Sequence, residues 1–240
     1  MKSEAIVELG KPLQTIETET PTPKGKEVLL KITHSGVCHS DVHIHDGYFD
    51  LGGGNKLPVG AMLNLPHTMG HEIEGEVVSI GPDVNNIEIG SNVVAYPWIG
   101  CGNCSTCSDG DEHYCNAPRQ LGIQLPGGFA DYCIIPDSKY VLDYEGIRPG
   151  LAATYMCSGL TAFGALKKIV NIGENDHLLI MGLGGVGMMG LQFARSLFNC
   201  KILAADIDPN KLQAAKGAGA DEVYDTSDEQ SLNKLLEDTG

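Results

Sequence analysis

Apolar and polar positions alternate over residues 27–33 (Glu-Val-Leu-Leu-Lys-Ile-Thr), which predicts a strand with one buried face. Residues 73–80, 92–95, 130–135 and 140–142 read the same way, each bounded by Gly, Pro, Asp or Asn. Short strands with frequent turns predict an all-β first region folded as a compact, barrel-like sheet. The pattern changes near Pro149. From there a helix is expected over 157–170, then strands over 177–181, 201–206 and 222–225, alternating with helices over 185–198, 210–217 and 227–237. Strand and helix in alternation signal a parallel sheet. A domain boundary is expected near residue 155, giving units 1–155 and 156–240.

Composition narrows the function. The chain is Gly-rich (31 of 240) with a formal charge of −15, the opposite of the Lys/Arg excess that phosphate backbones select, so nucleic acid is not an expected partner. No apolar run is long enough to span a bilayer, and the first six residues lack a charged-then-apolar leader. A cytoplasmic home without membrane partners is expected. In a reducing compartment eight cysteines point to metal or catalysis rather than disulfides.

Four of them cluster. Cys101, Cys104 and Cys107 are separated by two-residue gaps, and Cys115 follows after seven intervening residues. Such gaps let one loop fold four sulfurs around an ion, and a closed tetrahedron of thiolates is the mark of a structural zinc. An iron–sulfur cluster or free thiols are the competing readings. A second set is spread along the chain: Cys38 in Gly-Val-Cys-His-Ser-Asp-Val-His, His71 in Gly-His-Glu, and Cys157. Two thiolates and one imidazole leave a fourth zinc position open, the pattern of a catalytic zinc. Cys157 also reads as a helix-packing residue, in which case Glu72 completes the set. A third motif, Gly182-Leu183-Gly184-Gly185-Val186-Gly187, fits G-x-G-x-x-G between a predicted strand and a predicted helix. There Gly182 makes the tight turn, Gly184 lets backbone approach a pyrophosphate and Gly187 lets helix and strand pack. Asp206 lies nineteen residues past Gly187 at a strand end, where a carboxylate accepts ribose hydroxyls and repels a 2′-phosphate. That favours NAD over NADP, with Asp208 as the competing acid. A complete sheet of this kind has six strands, and only three are predicted here.

The Cys-His-Ser-Asp segment, Gly-His-Glu, the four-cysteine lobe and the Gly-rich turn, in that order along the chain, resemble the zinc-dependent medium-chain alcohol dehydrogenases over its whole length. The resemblance implies two domains, α+β overall. One is a GroES-like β-barrel zinc-binding catalytic domain, and the other is the first half of an NAD-binding Rossmann domain. Two zinc ions per chain and NAD are the implied cofactors, and a small alcohol or carbonyl compound the implied substrate. The resemblance further makes Ser40 and His43 a proton relay and Asp41 the carboxylate that orients His71. Glu72 becomes an alternate zinc ligand, His39 a group near the pyrophosphate, Thr161 a neighbour of the nicotinamide, and Lys211 a neighbour of the ribose. It implies a longer parent with a returning tail, assembled as a homodimer or homotetramer. Polyol or glutathione-adduct dehydrogenases of the same family, or a non-catalytic zinc-binding fragment, are the alternatives. The stretch between Tyr48 and His67, with Gly52-Gly53-Gly54, is expected to shape a pocket mouth. Trp98, Tyr48 and Tyr96 could line that pocket, and the alcohol itself stays unspecified.

Overall fold

The computed structural model describes all 240 residues. They divide into two compact units, Met1–Cys157 and Ser158–Gly240. No helix in either is long and apolar enough to cross a membrane.

The first unit runs β1 (Lys2–Ile6), β2 (Gln14–Glu17), β3 (Val28–Gly36), α1 (His39–Asp46), β4 (Tyr48–Asp50), β5 (Lys56–Pro58), β6 (His67–Thr68), β7 (Glu72–Ile80), β8 (Asn92–Ala95), α2 (Ser105–Ser108), β9 (Tyr132–Ile135) and β10 (Val141–Asp143). Five strands form one antiparallel sheet in the order β10-β8-β7-β3-β9. Its inward positions, among them Val28, Leu30, Ile73, Val77, Val93, Ala95, Cys133 and Ile135, make the core, with Ile99, Leu121 and Tyr140 packed on them. The β3–β7 register shifts twice, with Val78 as the extra residue on β7 and Thr33 as the extra residue on β3, the second bulge lying just before the turn that presents Cys38. The sheet is not a closed barrel. β9 and β10 are its edges, and β2-β1-β6 form a second sheet tied to the first through a bridge between Ser3 and Ala130.

The strand pattern locates β3, β7, β8, β9 and β10 to within three residues at either end. It does not announce β1, whose inward side chains Ser3 and Ala5 are too small to register as a hydrophobic stripe. Nor does it announce α1. His-Ser-Asp-Val-His-Ile-His-Asp carries one buried apolar residue, Ile44, packed with Ile6 and Met69. This helix is fixed by its ends instead. The Asp41 carboxylate accepts the Cys38 N–H at 2.9 Å, and Gly47 closes the helix at φ 81°, a left-handed turn that suits glycine.

The second unit runs α3 (Ser158–Leu166), β11 (His177–Met181), α4 (Gly185–Leu197), β12 (Lys201–Asp206), α5 (Pro209–Gly217), β13 (Glu222–Asp225) and α6 (Glu229–Thr239). Its three strands are parallel in the order β11-β12-β13. Because β12 is central, its residues are buried from Ile202 to Asp206. Ile202 and Ala204 face a core with Leu191, Ala194, Leu212 and Ala215, while Leu203 and Ala205 face Tyr224 and Leu235. Helices therefore cover both faces. One expectation shifts: Cys157 does not open α3. It stands before the helix with φ −126° and ψ −76°, ending a 3₁₀ segment over Ala152–Met156.

Candidate functional site

Two cysteine clusters lie in the first unit. In the first, the ligand atoms of Cys38, His71 and Cys157 all lie within 4.8 Å of one another. Cys38 is the residue before α1, Cys157 ends the 3₁₀ segment, and His71 precedes β7. The two sulfurs are 3.8 Å apart. Tetrahedral donors at the usual 2.3 Å zinc–sulfur distance stand about 3.8 Å apart, so the spacing fits one ion. His71 is fully buried, and its Nδ1 lies 3.2 Å from Asp41 Oδ1. Asp41, 2 % exposed, also accepts the Gly70 N–H. The carboxylate thus orients the ring and leaves Nε2 for another role. Nε2 is buried and has no hydrogen-bond partner. A buried nitrogen without a partner beside two sulfurs is the donor set of a metal site.

Without an ion the cluster is electrostatically tense. The Cys38 thiol is pulled down to about 3, chiefly by the Cys157 thiol beside it and then by His71. Burial opposes charge on His71, but Asp41 and the Cys38 sulfur outweigh it and push the imidazole up to about 10. Cys157 is driven far up by Cys38 and by burial.

Glu72 lies outside this three-atom cluster. It is 3 % exposed, and its carboxylate lies against Gly36, where a Cβ would come 2.1 Å from Oε2. Gly36 is thus required by this close approach. Ser40 Oγ is 3.7 Å from Cys38 Sγ. His43 packs its ring on His39 at 4.7 Å and on Phe49 at 4.8 Å, on the side of α1 toward the β4–β5 hairpin. His39 is exposed. Trp98 sits edge-on to His71 at 5.9 Å and donates to Met156 O at 2.9 Å.

In the second cluster, Cys101, Cys104, Cys107 and Cys115 likewise lie within 4.8 Å of one another. Sulfur–sulfur distances are 3.5 Å for Cys104–Cys107, 3.8 Å for Cys104–Cys115 and 3.9 Å for Cys101–Cys107. Backbone N–H groups of Cys101 and Ala117 point at Cys115 Sγ at 3.4 and 3.3 Å, which favours a thiolate. The Asn103 backbone and Cys115 pull Cys101 down to about 6, whereas desolvation lifts Cys107 to about 11. Glu112, which the sequence did not single out, fastens this lobe. It accepts from the Gly100 N–H, the Lys139 ammonium and the Tyr140 hydroxyl.

The second unit carries the Gly-rich turn. Gly182 has φ 81° and donates to Ala205 O, tying the turn to the end of β12. A Cβ on Gly187 would come 1.8 Å from Gly182 O, so only glycine lets α4 pack here. Gly184 precedes α4, and the exposed Gly185 and Val186 begin it, which leaves the first N–H groups of the helix for an anion. Asp206 Oδ2 accepts the Leu183 N–H at 2.6 Å, and Oδ1 accepts from Ile207 and Asp208. These N–H groups hold its carboxyl below the usual range. Lys211 Nζ lies 3.9 Å from Asp206 Oδ2. Asp208 is occupied otherwise: it caps α5 by accepting the Asn210 N–H. Thr161 is exposed on α3.

Two family models match the chain. The alcohol dehydrogenase GroES-like domain covers residues 24–145, half of the chain, and the zinc-binding dehydrogenase domain covers 185–240. A curated relative, the NAD-dependent alcohol dehydrogenase of Saccharolobus solfataricus, is 38 % identical over 236 residues, 98 % of this chain and 67 % of that protein. The chain belongs to the zinc-dependent medium-chain alcohol dehydrogenase family. It spans about two-thirds of the length of the curated family members it matches. Among solved structures of the family, the alcohol dehydrogenase of Aeropyrum pernix aligns over 99 % of this chain and 68 % of its own, at TM-score 0.85 and 26 % identity. The acetophenone reductase of Geotrichum candidum, solved with NAD, aligns over 94 % of this chain and 63 % of its own, at TM-score 0.81 and 30 % identity. Zinc and NAD are the cofactors of this family.

Proposed function

We propose that this chain carries the zinc and NAD sites of an oxidoreductase that interconverts an alcohol and an aldehyde or ketone. The carrying observation is His71 Nε2, buried without a partner beside two sulfurs 3.8 Å apart. Cys38, His71 and Cys157 would hold the catalytic ion, with Glu72 nearby as an alternate ligand. Cys101, Cys104, Cys107 and Cys115 would hold the structural one. When bound there, zinc would supply Lewis acidity toward an alcohol hydroxyl, and NAD would supply a hydride acceptor. Asp41 fixes the tautomer of His71, so that Nε2 presents a lone pair. Ser40, 3.7 Å from the Cys38 sulfur, would take the substrate's proton, and His43, half-buried further along α1, would pass it to solvent. On the second unit, Gly182 through Gly187 would cradle the pyrophosphate of the dinucleotide. Asp206 takes the ribose hydroxyls, Lys211 neighbours them and Thr161 neighbours the nicotinamide.

The partner is a small alcohol or carbonyl compound. A reducing, cytoplasmic setting suits eight unpaired thiols, and a homodimeric or homotetrameric parent follows the family pattern. The test is metal analysis joined to NAD-dependent turnover on a panel of alcohols. Two zinc ions per chain and turnover abolished by a chelator are expected. Turnover that survives complete removal of zinc would overturn the assignment.

A further inference from the structure

Cys157 reaches the three-donor cluster at the end of a segment with little regular structure, residues 144–157, so something must hold that segment in register. One clamp is Trp98, which donates to Met156 O. The other is Glu74. It is 1 % exposed and lies on β7, three residues past His71. The Gly150 N–H donates to both of its carboxylate oxygens, at 2.9 and 3.1 Å. Tyr144 Oη donates to Oε1 at 3.1 Å, and His34 Nδ1 lies 3.1 Å from the same oxygen. A carboxylate is costly to bury, and this one is retained with donors from β3 and from both ends of the 144–150 turn. Nothing in the proton relay or the cofactor turn uses it.

We propose that Glu74 is a positioning residue for the three-donor metal site, locking the segment that delivers Cys157 to the strand that begins beside His71. The inference rests on reading that cluster as a zinc site. A merely structural carboxylate would lower stability and loosen both metal sites together. A positioning carboxylate loosens only one.

The experiment uses the full chain loaded with zinc and follows metal release to a colorimetric chelator. The phase belonging to the three-donor site is identified by its absence in Cys38→Ser. Glu74→Gln keeps the volume but turns an amide NH₂ toward a donor. It is expected to speed that phase roughly tenfold, the low end for outer-sphere substitutions, and to leave the four-cysteine phase unchanged. Tyr144→Phe removes one donor and is expected to speed the same phase roughly two- to threefold. Parental release rates in both variants, or equal acceleration of both phases, would overturn the proposal. If Glu74→Gln does not fold, Tyr144→Phe decides alone by the same criterion. Should the parent show no Cys38-dependent zinc at all, the zinc reading itself fails, and that is seen before any Glu74 variant is compared.

Discussion

Cys38 and Cys157 are 119 positions apart in sequence and 3.8 Å apart in space, whereas Cys101 and Cys115 are only 14 positions apart. The first cluster is assembled by tertiary structure. Its imidazole is fully buried, Asp41 orients that ring, and Glu74 and Trp98 hold the segment bearing the last sulfur. The second is assembled by one loop with two short helical turns, α2 and a 3₁₀ turn over Glu112–Tyr114, and little core of its own. A scaffold that exists without the ion can afford three donors and an open position. A lobe that lacks a scaffold needs all four donors and draws its order from the metal.

The sharpest way to break this contrast is to remove one thiolate from each cluster. Cys38→Ser is expected to lower kcat/KM in the active holoenzyme by roughly a thousandfold, the equivalent of about 4 kcal/mol of lost Lewis-acid stabilisation. Its melting temperature should stay within a few degrees of the parent, because the surrounding core is intact. Cys104→Ser should do the reverse. A loss of about 3–4 kcal/mol in the lobe would lower melting by roughly 10 °C in a chain of this size. Paired kinetics and thermal melts on the two variants check both. Similar behaviour in the two would erase the distinction between them.

Proton counting sharpens it further. In the metal-free three-donor site His71 is raised to about 10 and Cys157 is raised strongly, while Cys38 is lowered to about 3. At pH 7 to 9 the folded, metal-free site therefore holds two protons, one on His71 and one on Cys157. Zinc needs both groups deprotonated, so its uptake should release about two protons. Apparent affinity at that site is then expected to rise about a hundredfold per pH unit in this window. The sign follows from the metal-free state binding more protons than the loaded one. Calorimetry of zinc uptake in buffers of different ionisation enthalpy, on Cys104→Ser chains that lack a complete lobe, measures the count. Release of one proton instead of two would mean that Cys157 is not a donor.

How far these clusters could be read from sequence follows from how each is built. The four-cysteine lobe is local, so its spacing alone announces it. The parallel strands β11, β12 and β13 are apolar runs between turn residues, and their observed bounds match the pattern. The three-donor cluster needed the family resemblance, because nothing local joins Cys38 to Cys157. Its supports were harder still. Glu74 alternates with its neighbours as a solvent-facing acid would, yet it is buried on the face away from Ile73, where Gly150 and Tyr144 supply donors from 70 or more positions away. Helix α1 has no hydrophobic stripe to reveal it, since a carboxylate and a left-handed glycine hold its ends. Polar residues whose partners are distant in sequence are the ones pattern reading assigns to the surface.

Glu112 gives the smallest and most discriminating test of the contrast. It ties the four-cysteine lobe to the segment beside the sheet, through the Gly100 N–H, Lys139 and Tyr140. Burial opposes its charge, but those donors win and hold its carboxyl below the usual range. A depressed carboxyl contributes stability above its unfolded value and loses that contribution only as pH falls through the folded one. At pH 7 the contribution is complete. Glu112→Gln should then cost about 1–2 kcal/mol, the value of hydrogen bonds to a charged acceptor, and lower melting by a few degrees. Zinc release from the lobe should quicken severalfold, because the loop opens more often, while release from the Cys38-dependent site stays at the parental rate. The two-phase chelator assay reads both at once. If Glu112→Gln quickened the three-donor phase as well, the two clusters would share one cooperative unit, and the division between a pre-built site and a metal-ordered one would no longer describe them.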